Sequence, residues 1–122
     1  MPPLKIALAL SLIRCTINSM LTVIETPTFQ RTASAILSPE EVEAFIDFIA
    51  ENPEAGDVIR GTSSLRKVRW ARSGMGKSGG ARIIYFVRNA AGEVWLLVAY
   101  AKGNDETLPT EFLNRLKEQY DV

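Results

Sequence analysis

Two apolar runs near the C-terminal half leave this chain few folds to choose from. Ala81-Arg-Ile-Ile-Tyr-Phe-Val87 and Val94-Trp-Leu-Leu-Val-Ala-Tyr100 are nearly continuous β-branched and aromatic stretches, suited to the central strands of a sheet. Asn89-Ala-Ala-Gly92 between them reads as a hairpin turn. A third strand is expected over Leu65 to Arg72, where Leu65, Lys67 and Arg69 alternate with Arg66, Val68 and Trp70. Its exposed side is strongly basic.

Helices are announced by their caps. Thr26-Pro27 has an N-cap threonine with proline at the first helical position, opening a helix through about Ile36. Ser38-Pro39-Glu40-Glu41 is a capping box, followed by Val42, Phe45, Ile46 and Ile49 on one helical face, ending near Asn52-Pro53. Leu21 to Glu25 is a short β-prone run, and Pro109 to Tyr120 forms a last helix with Leu113 and Leu116 on one side and Thr107 as its cap. The expected order is strand, helix, helix, three antiparallel strands, helix. That is an α+β fold with its helices against one sheet face.

At 122 residues the chain makes one domain. Residues 1–19 read as an extension outside it: the apolar run Ile6 to Ile13 is too short to span a bilayer, and no small-x-small cleavage pattern follows. Residues 20–122 are taken as the domain, with a weak signal peptide as the alternative for the extension. One cysteine, Cys15, excludes an internal disulfide and suits a reducing cytoplasm, and the absence of histidine disfavours a metal site. No metal is expected. Any acid–base chemistry must therefore run on groups other than imidazole.

The formal net charge is zero, yet the charges are segregated. Glu40 to Asp57 holds seven acids and no Lys or Arg; Val58 to Gly92 holds eight basic residues and no acid. Such a run attracts a polyanion. Within it, Arg72 to Phe86 contains a G-x-G-x-x-G at Gly74, Gly76 and Gly79, overlapping a G-K-S. A dinucleotide fingerprint would need these glycines between a strand and a helix, so that the pyrophosphate meets the helix N-terminus. Here they lead into a strand. A Walker loop would need glycine at the position of Ala71 and, again, a helix behind it. No nucleotide cofactor is therefore expected. A glycine-rich hairpin between arginine-bearing strands suits a nucleic-acid backbone instead, since glycine permits close approach and the guanidinium fork matches phosphate oxygens.

Four blocks then carry a resemblance: Gly56-Asp-Val-Ile-Arg-Gly-Thr62, Leu65-Arg-Lys-Val-Arg69, Lys77-Ser-Gly-Gly-Ala-Arg-Ile-Ile-Tyr85 and Leu96-Leu-Val-Ala-Tyr-Ala-Lys102. In this order and spacing the chain, from about Leu21 onward, resembles the RelE superfamily of type II toxin–antitoxin toxins, and within it the HigB branch. The resemblance implies a compact α+β endoribonuclease that acts on mRNA at the ribosome without a cofactor. It also implies a helix-turn-helix antitoxin as partner, no membrane partner, and a cytoplasmic location.

The implied reaction is attack of a ribose 2′-hydroxyl on the adjacent phosphate, with cations stabilising the phosphorane. Carried over by motif, Arg82 contacts the scissile phosphate, Lys102 is the second catalytic group, and Lys67 and Arg66 share transition-state stabilisation. Arg69, Arg72 and Lys77 bind RNA, and Tyr85 stacks on a base, as Tyr100 could. Trp70 and Trp95 are read as packing residues. The chain departs from the branch after Lys102, where Gly-Asn-Asp-Glu106 carries one extra residue. The competing reading is a non-enzymatic ParE-like gyrase poison or a plain RNA-binding module.

Overall fold

The computed structural model describes residues 13–18, 21–62, 64–72, 76–101 and 108–120, with backbone alone for 18, 71, 72 and 76–79. Its centre is a six-stranded sheet. The strands are β1 (Arg14–Asn18), β2 (Leu21–Glu25), β3 (Asp57–Val58), β4 (Arg66–Arg72), β5 (Gly76–Arg88) and β6 (Glu93–Ala101), in spatial order β1-β2-β6-β5-β4-β3. Among the described residues only the β2–β6 pair is parallel. The helices are α1 (Pro27–Ser34), α2 (Pro39–Glu51) and α3 (Thr110–Glu118). No helix among the described residues is long and apolar enough to cross a membrane.

The caps form as the sequence requires. Thr26 Oγ1 accepts from Phe29 N at 3.1 Å and donates to Leu96 O at 2.8 Å, so the start of α1 is tied to β6. In α2 the box closes both ways: Glu41 N donates to Ser38 Oγ at 3.1 Å, and Ser38 N donates to Glu41 Oε1 at 2.9 Å. The β5–β6 connection is a short 3₁₀ turn, Asn89–Ala91, closed by Gly92 at φ 67°, a left-handed conformation that glycine adopts without steric cost. For α3 the N-cap is Pro109, with no side-chain cap bond, while Thr107 lies outside the described residues.

Two expectations are corrected. Helices cover both faces of the sheet, not one. Val23, Ile83, Tyr85, Leu96 and Ala99 pack against Phe29 and Ala33 of α1 and Phe45, Ile46 and Ile49 of α2. Ile24, Ile84, Phe86, Trp95 and Leu97 pack instead against Leu113 and Leu116 of α3 and against Tyr120. The near-continuous apolar runs follow from this, because a strand buried on both sides has no polar alternation. A register shift between Ile84 and Tyr85 sets consecutive residues Leu97 and Val98 of β6 on the α3 side. Second, residues 14–18, read as lying outside the domain, form the edge strand β1 and pair with all five residues of β2. The polar and charged residues around the β-branched Thr16 and Ile17 gave no period-two pattern, so the pairing left no signal in the sequence.

Trp70 and Trp95 are packing residues. Trp70 meets Phe45 edge-on at 5.3 Å between centroids, and Trp95 stacks on Phe86 at 5.8 Å. The Arg88 guanidinium lies 4.9 Å from the Trp95 ring centroid, and Lys117 Nζ of α3 lies 5.3 Å from that of Phe86. The Lys117 contact helps hold α3 to the sheet.

Candidate functional site

Strand register decides which basic side chains can meet. Directly paired residues of an antiparallel ladder point to the same face, with Cβ atoms about 4.5–5.5 Å apart. Arg69 pairs with Arg82, Lys67 with Ile84, and Arg82 in turn with Tyr100. Ile84 belongs to the α3-side core, so Lys67, Arg69, Arg82 and Tyr100 share that face. Lys67 and Arg69 are two residues apart on β4, about 6.6 Å along the strand.

Arg69 is exposed, and Lys67 and Arg82 are half-buried. Neither Lys67 nor Arg69 has an ion-pair partner among the described residues. Arg82 makes one long hydrogen bond, Nη1 to Ala81 O at 3.5 Å. Two guanidinium groups set directly across a ladder repel each other. An anion between them removes that cost, and phosphate oxygens fit the forks.

The short β3 exposes this cluster. Its two residues pair only with Arg66 and Lys67, so the outer edge of β4 from Val68 onward has no strand partner among the described residues. A cavity opens there, lined by Phe48, Ala55, Asp57, Lys67, Val68, Arg69 and Arg82. Gly76, Gly79 and Gly80 lie inside β5, which continues as strand to Arg88. The glycines therefore precede no helix, and the phosphate-on-helix geometry of a nucleotide site is not what they build.

Arg66 does not join the cluster. It pairs with Tyr85 on the opposite face, where its Nη1 donates to Gly56 O at 2.6 Å and to Glu54 O at 3.4 Å. Its work is to hold the α2–β3 connection, because its even-numbered position on β4 turns it towards the α2 side. Tyr85 is also corrected. It is fully buried; its hydroxyl donates to Pro53 O at 2.8 Å and accepts from Gly56 N at 2.9 Å. Burial pushes its pKa above the ordinary 10, with the Gly56 bond opposing. A ring enclosed in this way cannot stack on a base.

Arg72 pairs with Gly76 near the hairpin, and Lys77 lies on β5; their side chains are outside the described atoms, as is the whole of Lys102. One residue was missed. Asp57 pairs with Lys67 and so shares the cationic face, although its Gly56–Thr62 motif carries no assigned role for it in the linear chain. Its position as the last acid before the basic run was the available signal.

No protein-family model matches the chain. Among solved structures the chain is similar to a mutant of the E. coli toxin RelE in the free state, at 18% sequence identity and a TM-score of 0.42, over 74% of this chain and 85% of that one. Identity that low leaves the site and its chemistry to be argued from this chain's own residues.

Proposed function

We propose that this protein is the toxin of a type II toxin–antitoxin pair of the RelE superfamily, HigB branch, and that it cleaves mRNA on the ribosome. The observation that carries the reading is the Arg69–Arg82 cross-strand pair with Lys67 beside it, on one face and at one cavity. The four sequence blocks that resemble the branch run through the same strands. A helix-turn-helix antitoxin is the partner this reading entails, and the cytoplasm is its place of action.

The chemistry follows from the cations. The guanidinium groups of Arg69 and Arg82 hold the non-bridging oxygens of the scissile phosphate and neutralise charge as the phosphorane forms. The Lys67 ammonium, two residues from Arg69, donates a proton towards the departing 5′-oxygen. Holding the RNA in line is left to the ribosome, since the cavity is open and lined only by Phe48 of α2, Ala55 of the following loop and short stretches of β3, β4 and β5.

The test is Arg82→Ala in a translating extract, with primer extension on the mRNA. The substitution is expected to abolish cutting while thermal melting stays close to that of the parent, because a half-buried arginine with one long hydrogen bond adds little to stability. Undiminished cutting by the folded variant would remove Arg82 from the reaction. DNA damage with intact mRNA, or RNA binding without cutting by the parent protein, would favour the gyrase poison or the plain RNA binder.

A further inference from the structure

Attack by a 2′-hydroxyl needs a group that accepts its proton, and the cluster in its charged form does not supply one, since Lys67 holds the proton destined for the leaving oxygen. Guanidinium groups have no acceptor atom, and an ammonium only donates. The chain has no histidine. Among the side chains lining the cavity, the remaining titratable group is the carboxylate of Asp57, which is acceptor-only when ionised. Asp57 is exposed and lies directly across from Lys67 on the face that carries Arg69 and Arg82. No salt bridge within 4.0 Å occupies it among the described residues.

We infer that Asp57 is the base that takes the 2′-hydroxyl proton, an inference that rests on the cleavage proposed above. The proton passes from O2′ to the Asp57 carboxylate as the O2′–P bond forms. The P–O5′ bond breaks, and the 5′-oxygen leaves with a proton from the Lys67 ammonium. The products are a 2′,3′-cyclic phosphate and a 5′-hydroxyl end. Solvent then removes the proton from Asp57 and returns one to Lys67. Acid and base sit about 5 Å apart at their Cβ atoms, a separation that lets one group reach the attacking oxygen and the other the leaving oxygen of the same phosphate. Placing an acid among phosphate-binding cations weakens ground-state binding, a cost that a purely RNA-binding surface would have no reason to bear.

The experiment compares the parent, Asp57→Asn and Asp57→Glu in a translating extract over a range of pH, and repeats the measurement with an mRNA carrying sulfur in place of the scissile 5′-oxygen. Asp57→Asn is expected to slow cutting by about 100-fold or more, to lose the decline in rate towards acid pH, and to keep RNA affinity within about threefold, while Asp57→Glu recovers part of the rate. A sulfur leaving group needs no proton. It should therefore rescue Lys67→Ala and leave Asp57→Asn slow. Asp57→Asn cutting at the parental rate with the parental pH profile, or rescued by sulfur as Lys67→Ala is, would overturn the assignment. Failure of the parent itself to cut either RNA would instead remove the cleavage reading on which the assignment rests.

Discussion

At the scale of single residues, the loop from Pro53 to Gly56 shows how a motif glycine is enforced by its surroundings. A Cβ at Gly56 would stand 2.9 Å from both Lys67 O and Tyr85 Cε1. Neither can yield, since one is backbone in β4 and the other a buried ring with both hydroxyl bonds made. Gly56→Ala is therefore expected to destabilise by about 1–3 kcal/mol, read as a lower urea midpoint with unchanged slope. Glu25 makes the opposite case. It is 5% exposed, and burial raises its pKa above 4.5 while the Arg14 charge pulls it partly back. The folded state thus keeps a proton that the unfolded chain releases. Its contribution to stability is full below about pH 4.5 and is lost as pH rises through the folded value. Glu25→Gln should melt higher than the parent at pH 7, and the two should converge below pH 4.5; a difference independent of pH would refute this account.

At the scale of elements, β1 covers the outer edge of β2 over five residues, and an uncovered strand edge invites pairing with other chains. Removing residues 1–19 is expected to lower the thermal midpoint and cause aggregation that grows with concentration. The cutting rate per folded molecule should not change, because β1 and the β4–β5 pair occupy opposite ends of the strand order. Retained melting temperature and solubility in the truncated protein would show that β1 adds nothing. The legible elements were those whose signals are local: both N-caps of α1 and α2, the Asn89–Gly92 turn and the two long strands. β5 runs five residues further upstream than its apolar stretch, through Gly76 to Gly80, since the ladder to β4, which pairs Arg72 with Gly76, can carry glycines that have no strand propensity of their own.

At the scale of the molecule, the zero net charge conceals an acidic α2 with its flanks and a basic β4–β5 face. Binding to single-stranded RNA should therefore weaken linearly with log salt. Each of Lys67→Ala and Arg69→Ala should reduce that slope by ~0.7, whereas Arg66→Ala, on the opposite face, should leave it unchanged and lower stability instead. An Arg66→Ala slope reduced like the other two would contradict the register-based separation.

What the linear chain determined by itself were the short-range features: caps, apolar periods, the sign of charge in each stretch and the strand that follows the glycines. These depend on neighbours within a few positions, so they survive without knowledge of the fold. Which of Arg66, Lys67, Arg69 and Arg82 stand together, and that Asp57 stands with them, was decided only when β3, β4 and β5 paired. A shift of one residue in that pairing would send every side chain to the other face. The same holds for Tyr85, whose hydroxyl looks available in the sequence and is used up by Pro53 and Gly56 in the fold.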